Sequence, residues 1–424
     1  MIDIKNIREN PEKFKKAAND KLIKTDIDGL LKVDAELKEH KKQLQDITTE
    51  KNHIGKTIPK LEGAEKQKNI ERLSELKEKE SSLNEKVKQL QPRFDELMLQ
   101  VAQPADEEVP LGKDDTENIE LRKEGKIPEF DFEPKDHVQV GLDLGIIDME
   151  RGVKLAGTRN YFLKGDGALL HWAVLRFAMD YMLKQGYVPL SVPLLMKDEA
   201  MMGTGYYPGA EEQTYRIEKD QLNLAGTAEV PVTAFHSGEI LKAALLPLKY
   251  VALSTCFRRE AGAAGKDTYG LYRIHQFDKV EQVIICKNDI EESAKYHEEI
   301  QANSEAVMKA LQLPYRVVAV CTGDLGRGQA KKYDIEAWMP SRGAYCETHS
   351  ASKFYDFQAR RMNLRYKDQE TKKNIFCHTM NNTVIASPRI LIPIMELYQN
   401  AEGSITVPEV LRPYMNGKEK IEKN

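Results

Sequence analysis

The chain has 424 residues, 41% hydrophobic and 31% charged, with a formal net charge of −4. This length allows two or three domains with their own cores, and the near-neutral balance excludes a global basic field, so any nucleic-acid contact must come from a local patch and no DNA partner is expected. The five cysteines (Cys256, Cys286, Cys321, Cys346 and Cys377) are scattered and never form C-x-x-C, which excludes a disulfide framework and a structural zinc site and points to a reducing compartment.

The start, Met1-Ile2-Asp3-Ile4-Lys5, lacks a signal-peptide apolar core, and no run approaches membrane-spanning length. A cytoplasmic protein without a membrane partner is expected. Residues 1–24 predict a short helical cap, with Asn10 as N-cap and Pro11 at the first helical position.

Residues 27–101 carry a heptad pattern. Leu30, Leu37 and Leu44 are seven apart, and Ile47, Ile54 and Leu61 continue at the same step. The pattern breaks at Thr57-Ile58-Pro59-Lys60-Leu61-Glu62-Gly63. It resumes with Leu76, Leu83, Leu90 and Leu97, interleaved with Leu73, Val87, Phe94 and Val101, and Glu80 is its one miss. These are a and d positions of two helices joined by a Pro/Gly-marked turn. At 1.5 Å per residue, ~30 residues each give an antiparallel hairpin on the order of 45 Å long. With no third heptad helix to complete a bundle, a projecting arm is expected; a scaffold packed on the body and a coiled-coil dimer stay open. Its lysines are nearly balanced by acids, so charge does not establish RNA binding. Pro92 predicts a kink in the second helix.

Residues 102–135, with Pro104, Pro110, Gly112, Pro128 and Pro134 among many acids, read as an extended linker. From 136 to 424 the composition is that of a mixed α/β body. Leu169–Gln185 predicts an amphipathic helix ended by Gly186, followed by a short strand closed at Pro193. No G-x-G-x-x-G follows a strand, and Gly262–Lys266 fails the P-loop spacing. An antiparallel sheet with helices on one side fits better than a parallel nucleotide-binding sheet, so the expected fold class is α+β.

Within the body, the runs Tyr250–Phe257 and Phe277–Cys286 read as strands flanking a charged, Gly/Ala-rich connection. Arg258, Glu260, Arg273, Phe277 and Glu281 lie at their ends. Arginines grip phosphate or carboxylate, an aromatic ring stacks on a base, and carboxylates hold an amine, so the set suits a nucleoside triphosphate with a small ammonium substrate. On these residues alone, an ordinary solvated hairpin is equally open.

Together with Phe162-Leu163-Lys164-Gly165-Asp166-Gly167-Ala168, Gly203-Thr204-Gly205, Thr227-Ala228-Glu229-Val230-Pro231, Cys321-Thr322-Gly323-Asp324-Leu325-Gly326, Asp356-Phe357-Gln358-Ala359-Arg360-Arg361 and Val407-Pro408-Glu409-Val410-Leu411-Arg412-Pro413-Tyr414, the chain resembles the bacterial-type seryl-tRNA synthetases, which are class II aminoacyl-tRNA synthetases. The likeness covers essentially the whole length.

The resemblance implies an N-terminal tRNA-binding coiled-coil arm over residues 1–101 and a class II antiparallel-sheet catalytic domain over 136–424. It implies ATP-dependent ligation of L-serine to tRNA(Ser) through a seryl-adenylate, with tRNA(Sec) as a second acceptor and Mg²⁺ beside ATP, in a homodimer. Carried over by position, Arg258 holds the α-phosphate and serine carboxylate, Glu260 and Phe277 meet adenine, and Arg389 takes the far triphosphate with Arg273 nearby. Glu347 and Ser350 hold the metal. Thr227 and Glu229 meet the serine amine, Glu281 and Thr383 its hydroxyl, and Asn381 supports the wall. A lone His349 beside the metal pair is expected as a wall residue.

Three segments depart from the usual bacterial pattern: Leu224-Ala225-Gly226, Glu347-Thr348-His349-Ser350-Ala351-Ser352, and Asn381 to Arg389. Each keeps its chemical anchors. A paralogue passing serine to a carrier protein would lack the long arm, and a non-enzymatic relative would have lost Arg258, Glu281 or Arg389.

Overall fold

The computed structural model describes residues 1–261, 267 and 269–423. Lys266, for which the sequence leaves open an acceptor-stem contact or a plain surface lysine, lies outside them. The chain divides into two compact units, Ile2–Ala102 and Gln103–Asn424 with Met1.

In the first unit, α1 (Ile4–Glu9) and α2 (Pro11–Asp20) precede the hairpin. Asn10 caps α2 by accepting from the Lys13 amide, with Pro11 in its first turn, because Pro has no N–H to leave unsatisfied there. The hairpin is α3 (Ile27–Thr57) and α4 (Gly63–Gln100). At 1.5 Å per residue these are roughly 46 and 57 Å long, so the second arm exceeds the expected length. Helix α4 passes through Pro92 as one continuous element. The seam buries Leu30, Leu37, Ile47, Ile54, Leu76 and Leu97. Glu80, the miss in the heptads, meets Lys51 across the hairpin at 2.6 Å, and Arg72 grips Glu50 through two nitrogens. Both pairs are partly exposed, so they fix register more than they stabilise.

The second unit is built on an eight-stranded sheet. Its strands are β1 (Ile119–Glu124), β2 (Val188–Leu190), β3 (Leu248–Phe257), β4 (Gln276–Cys286), β5 (Tyr315–Ala319), β6 (Lys331–Met339), β7 (Ala344–Tyr355) and β8 (His378–Ser387), in the order β1-β5-β6-β7-β8-β4-β3-β2. All pairs are antiparallel except β2 with β3. The stretch expected to be an extended linker thus contributes an edge strand, β1, paired with β5. Its Pro and acidic composition hid a six-residue strand, Ile119–Glu124, whose side chains are nearly all exposed.

Helices α5 (Asp166–Lys184), α7 (Ile290–Ala310) and α8 (Leu391–Leu397), with α6 (Glu229–Ala234) between α5 and α7 in the chain, flank this sheet. Helix α5 ends in a Schellman motif: Tyr187 N–H bonds Met182 O at 3.2 Å and Gly186 N–H bonds Leu183 O at 3.0 Å, with Gly186 at φ +81°. Glycine suits that left-handed position because it has no Cβ. The main core joins Leu170, Val174 and Met182 of α5 to Ile284 of β4, Ile300 of α7, Ile335 of β6 and Ile392 of α8.

Of the register shifts in the central strands, two fall among the polar residues of one face. Val280 pairs with Ile385 but Glu281 with Thr383, leaving Val384 extra in β8. Ile335 pairs with His349 but Glu336 with Glu347, leaving Thr348 extra in β7. A bulge changes the phase of side-chain alternation and re-aims residues on either side.

Ile284 is fully buried in central strand β4. Ile284→Ala is expected to lower global stability by about 2–5 kcal/mol, read from the urea midpoint at unchanged slope.

Candidate active site

Strands β4, β7 and β8, the segment that follows β3 and the start of α6 supply one cleft lined by Tyr206, Glu229, Arg258, Glu260, Phe277, Lys279, Glu281, Glu347, Ser350, Asn381, Thr383 and Arg389, among others. The bulges explain how one sheet face supplies so many polar groups. In β8, Asn381 and Thr383 face the cleft two apart, and Ala386 faces it three further on, past the extra Val384. In β7, Glu347 joins the alternating series Thr348, Ser350 and Ser352 at the bulge.

Ten of the twelve residues expected from sequence line this cleft; Thr227 and Arg273 do not. Thr227 is buried, and its hydroxyl oxygen accepts the Glu229 amide at 3.2 Å. A helix start leaves amides without intrahelical partners, and Thr227 satisfies one of them, so it positions Glu229 from behind. Arg273 is turned onto Glu260 at 2.9 Å. The attraction between a half-buried guanidinium and a nearby carboxylate holds it there and orients Glu260, which itself sits at φ +52°, a conformation non-glycine residues seldom adopt.

At one end of the cleft, Glu229 accepts from Tyr206 Oη at 2.9 Å and from Gln358 Nε2 at 2.8 Å. Burial first, then the charge of Glu281, pushes its carboxyl up to about 7, against the pull of Tyr206, Lys279 and Gln358. Lys279 Nζ lies 2.5 Å from Glu281 Oε2, both nearly closed to water. Thr383 Oγ1 donates to the same oxygen at 3.4 Å. Asn381 Nδ2 is buried in this wall with no hydrogen-bond partner, a donor whose cost a ligand acceptor would recover.

In the middle, Arg258 donates through Nε to Gly226 O at 3.3 Å, and its guanidinium lies over the Phe277 ring at 5.2 Å. The ring face and the cation hold each other by cation–π attraction. At the other end, Arg389 donates to Tyr272 O and Glu347 O, both at 3.1 Å, and covers the Tyr272 ring at 4.3 Å.

Desolvation opposes ionisation of Glu347, but Arg389, Lys332, Arg258 and Arg273 outweigh it and hold the carboxyl below its usual range. Asp334 pairs with Ser350 across β6 and β7. Its carboxyl is pushed up to about 7 by burial and by Glu347, against Lys332, and its Oδ1 has no hydrogen-bond partner. Glu347 and Ser350 form an all-oxygen donor pair that fits a hard divalent cation, and an unpartnered carboxylate oxygen lies behind it. Among the described residues, no cluster of three or more His, Cys, Asp or Glu side chains could hold a metal by itself. His349 is a wall residue: its ring nitrogens meet Thr348 Oγ1 at 2.8 Å and Val384 O at 3.0 Å, and burial lowers its pKa to about 4. Cys256 and Cys286 are buried, and burial pushes both thiols up, as expected of small apolar residues.

Sequence reasoning missed Lys279, Tyr206, Tyr272 and Gln329. The signal for Lys279 was present. Phe277, Lys279 and Glu281 are two apart on one strand, and a period of two puts them on one face. Tyr206 directly follows the quoted Gly203-Thr204-Gly205. Gln329 had no local signal.

Known proteins share both units of the chain. Residues 1–103 match the family model "Seryl-tRNA synthetase N-terminal domain", and residues 213–398 match "tRNA synthetase class II core domain (G, H, P, S and T)". A serine–tRNA ligase of Deinococcus radiodurans is 44% identical over 99% of the chain and 98% of the relative. The seryl-tRNA synthetase of Pyrococcus horikoshii, solved with ATP, superimposes with a TM-score of 0.93 at 36% identity, covering all of both chains. The cytoplasmic enzyme of Naegleria fowleri, solved with AMP, gives 0.86 at 32% identity, over 98% of this chain and 96% of that one.

In the ligand-free protein, ¹³C NMR of labelled glutamate is expected to show Glu229 titrating near pH 7, and Glu281→Gln to move that midpoint down. The folded state binds this proton more tightly than the unfolded chain, whose carboxyl titrates near ~4.3. Ionising Glu229 therefore lowers stability as pH rises from there to about 7.

Proposed function

The chain belongs to the seryl-tRNA synthetase family and is an enzyme of the serine–tRNA ligase class, and from that premise we propose that its cleft activates serine with ATP as seryl-adenylate and then transfers it to tRNA(Ser). The observation that carries the reading is the division of charge along the cleft. Carboxylates stand at one end, Arg258 in the middle, and Arg389 with Glu347 at the other.

Serine enters with its ammonium on Glu229, its hydroxyl between Glu281 and Thr383, and its carboxylate toward Arg258. Adenine stacks on Phe277 with Glu260 at its edge, and Arg389 takes the outer phosphates. A serine carboxylate oxygen attacks the α-phosphorus in line, the bond to the bridging oxygen breaks, and diphosphate leaves. Negative charge builds on the α-phosphoryl oxygens, where the fixed Arg258 gains most. Bound Mg²⁺, held by Glu347 and Ser350, supplies further charge neutralisation at the phosphates. The terminal 3′-hydroxyl of the tRNA then attacks the seryl carbonyl, and AMP departs. No covalent enzyme intermediate is needed; the chain's residues position and stabilise charge.

The long hairpin supports a reading as the arm that grips tRNA(Ser) by backbone and shape. Use of tRNA(Sec), a homodimer in which one arm serves the other subunit, and a cytoplasmic location belong to the same reading. Among the described residues, no helix is long and apolar enough to cross a membrane.

The decisive test is serine-dependent diphosphate exchange alongside charging of tRNA(Ser) with radiolabelled serine. Both are expected; exchange without charging would favour a carrier-protein acceptor, and no exchange with any amino acid would refute the reading. Arg258→Ala is expected to lower exchange by about 10²–10³-fold. Deleting residues 30–98 is expected to leave exchange nearly intact while charging collapses. Equal loss of both would refute an independent arm.

A further inference from the structure

Two carboxylates and one lysine share the closed end of the cleft. Glu229 is held by neutral donors only, Tyr206 and Gln358. Glu281 is held by a cation, Lys279, at 2.5 Å, with relative exposures of 2% and 7%. A substrate carrying one ammonium would otherwise meet two similar acceptors facing one space. In a medium of low effective dielectric it would bind either, or bridge both.

We propose that Lys279 is the specificity-determining positioning residue of this site: it neutralises Glu281, which leaves Glu229 as the ammonium acceptor and reserves Glu281 for the substrate hydroxyl. The charges support this sorting. Before a ligand arrives the end holds Glu281 offset by Lys279 and a half-protonated Glu229, and an arriving ammonium draws Glu229 to its fully charged form. The end then matches a zwitterion, ammonium to Glu229 and carboxylate to Arg258, without a leftover charge. Burying an uncompensated charge is costly, so this balance decides which ligands are admitted.

Paired with the Lys279 ammonium at 2.5 Å, Glu281 is an acceptor and not a donor. With Lys279 across one oxygen and Thr383 beside it, a hydroxyl O–H is the group that completes its hydrogen bonds. An amino acid lacking the hydroxyl leaves that acceptor underbonded in a closed wall, and a site of that kind rejects such an analogue strongly. Lys279 is not a catalytic residue, since it acts through Glu281. The inference rests on the serine-binding reading above.

The test compares diphosphate exchange with serine and with alanine in wild type, Lys279→Met, Lys279→Arg, and Glu281→Gln with and without Lys279→Met. Lys279→Met is expected to lower the serine-to-alanine ratio of kcat/KM by at least about tenfold, mainly through the KM for serine, while the KM for ATP stays near wild type. Lys279→Arg is expected to keep most of the ratio. On the Glu281→Gln background, Lys279→Met should cost no further discrimination, because no charge at position 281 remains to be neutralised. That double variant buries no unpaired carboxylate there, so it decides the matter even if the single variant fails to fold. Equal losses with serine and alanine, or an undiminished effect of Lys279→Met on the Glu281→Gln background, would overturn the proposal. A Glu281→Gln variant with full discrimination would instead overturn the serine-binding reading, and the proposal with it.

Discussion

Lys279 and Glu281 meet at 2.5 Å in a wall almost closed to water, and the rest of the cleft is arranged around the need to compensate charges in such places. A buried ion pair gains little net stability, because desolvation cancels most of the attraction. Its value here is to fix where the remaining charge stands. Glu229, facing the same space without a cation of its own, is left half-protonated near neutral pH. Glu347, ringed by Arg389, Lys332, Arg258 and Arg273, is held ionised. The same residue type thus takes three electrostatic states within one cleft, each set by its neighbours.

The sheet makes these neighbours possible. An antiparallel face alternates, so one strand offers every second residue to a ligand. The extra residues Val384 and Thr348 break that alternation in adjacent strands. They let β8 present Asn381, Thr383 and Ala386, and let β7 present Glu347 beside Ser350. Behind the face, residues that do not touch the cleft hold those that do. Thr227 carries the Glu229 amide, and Arg273 holds Glu260.

The hairpin follows a simpler rule. Two helices with apolar a and d positions bury one stripe against each other and leave the rest charged. The single break in the stripe, Glu80, is answered across the pair by Lys51. Such a unit holds itself together by local packing, which is why its composition differs so plainly from that of the body.

Much of this was legible in the chain itself. The heptads of α3 and α4, the Asn10–Pro11 helix start and the Gly186 stop are local signals, because helix periodicity and capping depend on residues a few positions apart. Of the twelve residues named by family likeness, ten line the cleft. What the chain could not show were relations between distant segments: that Ile119–Glu124 pairs with β5, that Thr227 and Arg273 serve from behind, and that Lys279 answers Glu281. Lys279 and Glu281 were visible two residues apart, yet which face of β4 was buried, and beside which carboxylate, depended on the register with β8 and on the approach of α6. Residue types and local periodicity are properties of the chain, whereas desolvation and charge compensation exist only once remote segments close over one another, so the electrostatic roles in this cleft were decided by the tertiary structure.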